Sequence, residues 1–476
     1  MQQNKSGQEK TRPNVIVILA DDMGYGDLSC YGNHWITTTH LDSLAADGVR
    51  FTDGYSTAPL CSPSRAGLMT GRYQQRFGFE LQVSSGAFPE RKEVRLDDGS
   101  LGPIQGEEEF LRRGIPVTEL NMGELFKRGG YKTGVFGKWH LGHGDSFLPQ
   151  NRGFDKSTVF YGNTSIQYTD LDDPSIVSLK VDFHDELINT AWTRAGLNEI
   201  RENGKLIDVD EYLLHFFRDR ALDFIEEHKE ERFFLYFSMN APVPPLQVPR
   251  SYFDRLKTEI PNINQRGYNA LLLAQDDAVG ALLAKLTEHN LDENTIIVFV
   301  SDNGCAESRP GSNGIFSGGK FNTLEGGIRM PFIIKWPGQI QPGTVYEKPV
   351  STLDILPTVA NACSVPLNEG VQLDGRNLLP FLQKKKMGQP HEDLFWKIAH
   401  FAAVRSGDWK LYVDRNRGLK QLFNLKDDPE ERIDQSNIHP DLFSTLLEKL
   451  RIWENSLPKK AWSNYYGNTL ISKSKR

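Results

Sequence analysis

Cys61 stands in a segment whose residue types could support nucleophilic chemistry. Ser62 is a plausible N-cap and Pro63 fits the first position of a helix, so we expect a helix to begin here. Unpaired N–H groups and the positive end of the helix dipole would then converge near Cys61. Arg65, one turn further on, has a planar guanidinium suited to oxyanions. The segment indicates either a reactive position beside an anion site or a buried cysteine that caps a core helix.

Two pairs of oxygen-bearing side chains follow two apolar runs of the chain. The first run ends in Asp21 and Asp22, and the second ends in Asp302 and Asn303. Such runs are typical of strands buried in a parallel sheet, and ligands bind at the carboxyl ends of these strands. Three carboxylates and an amide favour a hard cation, calcium ahead of magnesium because no strict octahedron is evident. The first pair is equally typical of a solvated turn.

Basic side chains are expected at the same edge of the sheet. Lys138 and His140 lie two positions apart at the end of a third predicted strand, and in extended geometry they would share a face. The alternative is a surface lysine beside a structural histidine. A glycine-rich loop over residues 311–320 ends in Lys320; it could cradle an anion, although it lacks the spacing of a P-loop.

The elements that must position these side chains are those of an α/β protein. We predict a large, mostly parallel sheet sandwiched by helices over residues 13–385. A smaller α+β domain, with an antiparallel sheet and a closing helix, is predicted over residues 386–476. Residues 73–115 and 161–205 are predicted to form long loops at the rim of a pocket.

Composition excludes several classes of protein. With 476 residues the chain is long enough for a large core and a second domain. A net charge of −7 argues against a nucleic-acid binder, so an anionic substrate would need a local cationic pocket. No apolar run approaches the ~20 residues of a membrane span. The polar residues 1–12 lack the apolar core of a signal peptide, and a periplasmic or secreted location is expected if a signal peptide has been removed.

The motif C-S-P-S-R-A-G-L-M-T-G-R at residues 61–72 resembles the signature of the type I, formylglycine-dependent sulfatases of the alkaline phosphatase superfamily. The motif G-K-W-H-L-G at residues 137–142 and the G-G-K that ends at Lys320 extend the resemblance, which covers residues 14 to about 432. It implies that Cys61 is oxidised to formylglycine, whose hydrated aldehyde is the nucleophile. A formylglycine-generating or anaerobic sulfatase-maturating enzyme would be the partner for this step.

The resemblance also implies roles for the other residues. Arg65, Lys138 and Lys320 would neutralise the sulfate oxygens, each well-placed donor contributing about 3–4 kcal/mol. His140 would remove the proton that regenerates the aldehyde, and His143 is a further predicted substrate contact. Asp302 would help to deprotonate the attacking hydroxyl. The implied calcium ligands are Asp21, Asp22, Asp302 and Asn303.

One position departs from the family pattern. The family usually places a histidine after Asn-Ala-Pro, as a donor near the leaving-group oxygen, but this chain has Val243 there. Proton delivery would then fall to another residue. The candidates are Lys320, His143, His184 and His215.

The sequence therefore predicts a sulfatase that hydrolyses sulfate esters of a carbohydrate. The preferred substrates are a sulfated polysaccharide or its oligosaccharides, from an algal galactan or a glycosaminoglycan. Two alternatives remain open at this point. One is a phosphate or phosphonate ester hydrolase of the same superfamily, and the other is a catalytically silent sugar-binding relative, which Val243 makes conceivable.

Overall fold

A computed structural model describes residues 12–83, 93–95, 101–103, 112–180, 194–367, 370 and 372–462. Its strands are β1 (Asn14–Asp21), β2 (Val49–Phe51), β3 (Gly54–Tyr55), β4 (Glu93–Arg95), β5 (Leu101–Pro103), β6 (Lys132–Lys138), β7 (Lys156–Phe160), β8 (Ile176–Leu179), β9 (Arg201–Glu202), β10 (Lys205–Leu206), β11 (Phe233–Pro242), β12 (Leu246–Pro249), β13 (Thr295–Ser301), β14 (Phe332–Lys335), β15 (Thr344–Tyr346), β16 (Val350–Ser351), β17 (Asp393–Ile398), β18 (Phe401–Ser406), β19 (Trp409–Asp414) and β20 (Leu419–Asn424). Its α-helices are α1 (Thr39–Ala46), α2 (Cys61–Thr70), α3 (Met122–Arg128), α4 (Leu213–Glu227), α5 (Arg250–Arg255), α6 (Ile263–Glu288), α7 (Glu325–Ile328), α8 (Ile355–Ala362), α9 (Leu379–Leu382) and α10 (Pro440–Asn455).

A ten-stranded mixed sheet forms the centre of the fold, in the order β10-β9-β7-β6-β11-β1-β13-β14-β2-β15. The five central strands, β7, β6, β11, β1 and β13, run parallel to one another, and antiparallel pairing begins at β9 on one side and at β14 on the other. Val17 on β1 is in register with Tyr236 on β11 and Val298 on β13. Strands buried on both faces need apolar side chains on both, which explains the unbroken apolar run of β1. The predicted α/β class is confirmed.

Helices cover both faces of this sheet. Val17 and Leu19 of β1 pack on the face covered by α2, α3 and α8. Ile16 and Ile18 pack on the opposite face, against α1, α4 and α6. Burying each such side chain contributes about 1.5–3 kcal/mol, so this double packing holds the ends of the parallel strands in fixed positions. Those ends carry the candidate site.

A separate four-stranded antiparallel sheet lies towards the C-terminus, in the order β17-β18-β19-β20. Helix α10 packs on it through Leu446, Leu450 and Trp453. The predicted small antiparallel sheet with its closing helix is therefore confirmed. The boundary between residues 385 and 386 stays a prediction.

Local structure sets where two of the helices begin. Helix α3 begins at Met122, because Asn121 and Glu124 form a capping box. Helix α8 follows strand β16 and a 3-10 turn. The predicted loops over 73–115 and 161–205 lie partly outside the described residues. No helix in the described part of the chain combines the length and apolarity that crossing a membrane requires.

Candidate active site

The acidic side chains meet at one edge of the sheet. Strands β1 and β13 are parallel neighbours, so Asp21 and Asp22 arrive beside Asp302. The backbone N–H of Asp22 donates to Asp302 Oδ1 at 3.0 Å. One oxygen from each carboxylate and the Sγ of Cys61 all lie within 4.8 Å of one another, and all four residues are buried. Residues that are up to about 280 positions apart in the sequence therefore form one cluster.

Helix α2 brings Cys61 to this cluster. The helix begins at Cys61 itself, after Leu60, which makes no side-chain cap. Ser62 lies inside the helix and is not the N-cap that the sequence predicted. Its hydroxyl donates instead to the carbonyl of His140 at 2.7 Å. Cys61 Sγ lies 3.4 Å from Asp22 Oδ1 and 3.2 Å from Lys320 Nζ. Burial raises the pKa of the Cys61 thiol, which makes the unmodified side chain a poor nucleophile.

The sequence predicted that Arg65 would face an oxyanion, but in the structure its guanidinium binds the acidic side chains. Its Nε and Nη2 donate to Asp302 Oδ2 at 2.9 and 2.7 Å, and Nη2 also donates to Asp21 Oδ1 at 3.0 Å. Its Nη1 donates to Ser238 Oγ at 2.6 Å and to the carbonyl of Lys138 at 3.2 Å. The guanidinium is completely buried, because the planar fork fits between carboxylates that would otherwise repel each other. Arg65 therefore positions the acids.

Three more cations surround the acidic pair. Lys138 Nζ contacts both oxygens of Asp21 at 2.8 and 2.9 Å. Lys320 Nζ contacts both oxygens of Asp22 at 2.7 and 2.5 Å. Arg309 Nη1 donates to Asp22 Oδ2 at 2.5 Å. The structure thus joins the predicted Lys138 and Lys320 to the acids, and adds Arg309.

These contacts explain the ionisation of the three acids. Burial opposes ionisation of Asp21, but the Lys138 ammonium and the Arg65 guanidinium outweigh it and lower the pKa of Asp21. Burial is likewise outweighed at Asp22, where Lys320 and Arg309 hold the pKa far below its usual range. Burial raises the pKa of Asp302 to about 6, since Arg65 is opposed there by the two neighbouring carboxylates.

The predicted histidines differ in their placement. His140 has a φ of +54°, so it does not share an extended face with Lys138; strand β6 ends at Lys138, two residues before His140. It is fully buried behind the start of α2. His143 is half-buried beside Arg113, and burial together with this guanidinium lowers its pKa to about 4.

The other candidates for proton delivery are less well placed. His215 lies on α4, which covers the face of the sheet opposite to α2, and its ring packs against Tyr212 and Tyr252. His184 lies outside the described residues. Val243, which stands where the family pattern has a histidine, is buried, with 7% of its surface exposed.

The donor set fits a hard divalent cation. Three carboxylates converge at one point, and the Oδ1 of Asn303 is buried there without a hydrogen-bond partner in the described part of the chain. The other amide atom, Nδ2, donates to Asp22 Oδ1 at 2.8 Å, which fixes the side chain against the acids. Oxygen donors of this kind match calcium or magnesium and not a soft metal. The acidic cluster is therefore a possible metal site.

Two residues at this site were missed by reasoning from the sequence. Arg309 lies in the loop between β13 and α7, where no spacing marks it. Ser238 is different, because a serine in the apolar run of β11 could have been flagged as a polar group facing a partner. Its hydroxyl accepts from Arg65 and donates to the carbonyl of Lys138 at 2.7 Å.

Comparison with known proteins agrees with this geometry. The family model described as Sulfatase matches residues 13–365, which is more than half of the chain and includes the whole acidic cluster. The chain belongs to the sulfatase family. A second model, described as the C-terminal part of N-sulphoglucosamine sulphohydrolase, matches residues 313–454 of this sulfatase.

Individual relatives match this sulfatase over most of its length. It is 33% identical to an arylsulfatase of Hemicentrotus pulcherrimus, covering 88% of this chain and 71% of the relative. It is 30% identical to the N-acetylgalactosamine-6-O-sulfatase of Bacteroides thetaiotaomicron, covering 94% of both chains. The solved structure of Ps i-CgsB in complex with k-i-k-neocarrahexaose has a TM-score of 0.81 and 29% identity, covering 97% of this chain and 96% of that one. This sulfatase is a sulfuric ester hydrolase.

Proposed function

We propose that this sulfatase hydrolyses sulfate ester groups of a carbohydrate, with the oxidised side chain of Cys61 as nucleophile and calcium as cofactor. One observation carries the proposal. Cys61 Sγ is 3.4 Å from a carboxylate oxygen of Asp22 and 3.2 Å from the ammonium of Lys320. A nucleophile at position 61 would therefore act where an acidic metal site and a cation meet.

Modification of Cys61 explains how this position could turn over. Formylglycine at residue 61 would supply an aldehyde hydrate, with one hydroxyl to attack sulfur and a second to release the sulfate afterwards. A plain thiol has no second hydroxyl, and burial raises the pKa of this one. A formylglycine-generating or anaerobic sulfatase-maturating enzyme would be needed as a partner.

Calcium would be held by Asp21, Asp22, Asp302 and Asn303, and it would polarise the sulfate and favour the deprotonated hydroxyl. Lys138 and Lys320 stand beside these ligands and would neutralise charge on the sulfate oxygens. Arg65 would fix Asp21 and Asp302 relative to each other, as a positioning residue. His140, held behind the helix start by Ser62, would accept the proton of the second hydroxyl.

A carbohydrate substrate is supported by two of the relatives. One covers 94% of this chain and is named as an N-acetylgalactosamine-6-O-sulfatase. The other covers 97% of this chain and was solved with k-i-k-neocarrahexaose. The name of the first and the bound oligosaccharide of the second both refer to sugars, so we propose a sulfated galactan or glycosaminoglycan, or oligosaccharides derived from one, as the substrate class.

The test is desulfation of a defined panel by protein co-expressed with a maturating enzyme. The panel contains carrageenan-type and glycosaminoglycan oligosaccharides, nitrophenyl sulfate and nitrophenyl phosphate. We expect sulfate release from at least one oligosaccharide, and an aldehyde at residue 61 in the tryptic peptide of residues 51–65. Activity confined to the phenyl esters, or greater on the phosphate, would contradict the proposal.

A matched pair of cysteine variants provides the control. Cys61→Ala should lower kcat by at least about 1,000-fold, since removal of a nucleophile leaves only binding and electrostatic effects. Cys363→Ala removes an equally buried thiol that lies beside Pro13, at the opposite end of β1 from the acids, and should retain activity. An unoxidised Cys61 together with retained sugar binding would instead indicate a silent relative.

A further inference from the structure

The side chain of Asn240 is buried without any hydrogen bond. It lies near the end of β11 with 1% of its surface exposed. Neither its Oδ1 nor its Nδ2 has a partner among the described residues. Native proteins rarely leave a buried amide unpaired at both ends, because desolvation of each group is costly. An unpaired buried amide therefore needs a partner from outside the described residues, either a water molecule or a ligand.

The alternation of β11 gives the direction of this amide. Phe234 and Tyr236 pack on the face of the sheet that α2 covers, and Ser238 on the same face contacts Arg65. Met239 and Ala241, on either side of Asn240, pack on the opposite face, so the alternation continues through Asn240 although β11 bulges relative to β1 between Ser238 and Pro242. Its side chain therefore lies on the face of Cys61, one step nearer to the carboxyl end of the sheet than Ser238.

The backbone holds this amide in place. Gln167 Nε2 donates to the carbonyl of Asn240 at 3.1 Å, and Gln275 Nε2 donates to the carbonyl of Ala241 at 2.5 Å. Strand β11 runs between β6, which ends at Lys138, and β1, which ends at Asp21. Pro242 is in register with Asp21. The amide is thus fixed between the strand ends that carry the sulfate-binding lysine and a metal-site acid.

We propose that Asn240 is a catalytic residue whose Nδ2–H donates a hydrogen bond to the bridging oxygen of the sulfate ester. This inference rests on the proposed function. When the S–O bond breaks, its electron pair stays on the leaving oxygen, a water molecule supplies the proton, and the amide neither gains nor loses one. Val243, three residues further on, offers no donor, so stabilisation of the leaving oxygen would come from a neutral amide.

The substitution Asn240→Leu tests this role at nearly constant volume. On a sulfated sugar, whose leaving alcohol is weakly acidic, kcat should fall about 100-fold while KM stays within about threefold. On nitrophenyl sulfate, whose leaving nitrophenolate is stable without a hydrogen bond to its oxygen, the loss in kcat should be less than about fivefold. The melting temperature should be unchanged or higher, because no protein hydrogen bond is lost.

Asn121→Leu is the matched control, since Asn121 is equally buried but caps α3 away from the acids. It should lower the melting temperature and leave the ratio of the two activities unchanged. Equal losses on both substrates in Asn240→Leu, or a melting temperature as low as that of the control, would overturn the inference. Phenyl sulfate against nitrophenyl sulfate gives the same comparison without a sugar. Failure of the wild type on sugars would therefore count against the proposed function alone.

Discussion

Arg65 donates hydrogen bonds to Asp21, Asp302 and Ser238 from a position with no solvent exposure. Its carboxylate partners lie 44 and 237 residues away in the sequence. Local spacing gave Arg65 a place near Cys61 but could not give the direction of its guanidinium, because that direction depends on acids brought by other strands. Cys61, Lys138 and Lys320 were easier to predict, since each stands within a recognisable motif.

Arg65→Met should destabilise the protein strongly. It leaves two buried carboxylates without their shared cation, and breaking a buried pair in this way costs about 3–5 kcal/mol of the free energy of unfolding. Arg72→Met is the control, because Arg72 makes a partly exposed ion pair with Glu119 and should cost no more than about 1 kcal/mol. Urea denaturation measures both, and equal effects would contradict the positioning role.

At the scale of elements, the edge of the sheet could be predicted because buried parallel strands are recognisable as apolar runs. Strands β1 and β13 were found in this way, and their carboxyl ends had to meet. The start of α2 was less predictable, since a helix boundary depends on whether a nearby hydroxyl caps the helix or forms a hydrogen bond elsewhere. Ser62 gives its hydroxyl to the carbonyl of His140, a residue on another element. The turn at His140 also needs a positive φ that no motif reveals.

Strands β6 and β11 pack closely at Gly137, and substitution of this glycine tests that packing. Gly137 has a φ of +112°, and a Cβ there would lie 1.8 Å from the carbonyl oxygen of Ser238. Gly137→Ala should therefore prevent folding or cost more than about 4 kcal/mol. Gly130→Ala shares the positive φ but has open space, so it should cost only about 1–2 kcal/mol. Soluble yield and melting temperature distinguish the two, and similar values would contradict the steric argument.

At the scale of the whole molecule, a buried ionic network joins the four-stranded C-terminal sheet to helix α7 and strand β3. Lys410 of β19 contacts Glu325 of α7 at 2.8 Å and Glu431 at 2.9 Å. The backbone N–H of Glu325 donates to Glu431 at 2.6 Å, and Tyr55 donates to Glu325 at 2.6 Å. Charged residues that are far apart in the sequence and pair only in the folded protein have no sequence signature. The small sheet could therefore be predicted, but its contact with helix α7 could not.

This network should make stability depend on pH. Burial and the neighbouring Glu325 raise the pKa of Glu431 from 4.5 to about 7, against the effect of Lys410. Folding then takes up a proton, so the contribution of Glu431 is fully present below pH 4.5 and is lost as pH rises to about 7. Relative to Glu431→Gln, the wild type should lose about 2–3 kcal/mol across this window.

Urea denaturation of the wild type and of Glu431→Gln at several pH values measures the difference in their free energies of unfolding. Titration of the groups that both proteins share cancels in this difference. Glu430→Gln is the control, since the side chain of Glu430 is 31% exposed. This variant should follow the wild type throughout. A wild type whose stability relative to Glu431→Gln rises with pH would have the opposite sign and would contradict the assignment.

The central claim is that a divalent ion lies beside residue 61, bound by acids that are far apart in the sequence. Anomalous scattering from crystals of the matured protein grown with calcium tests it most directly. We predict one ion about 2.3–2.6 Å from oxygens of Asp21, Asp22, Asp302 and Asn303, in contact with the modified side chain at position 61. An ion bound elsewhere, or these four donors without calcium at saturating concentration, would contradict the account.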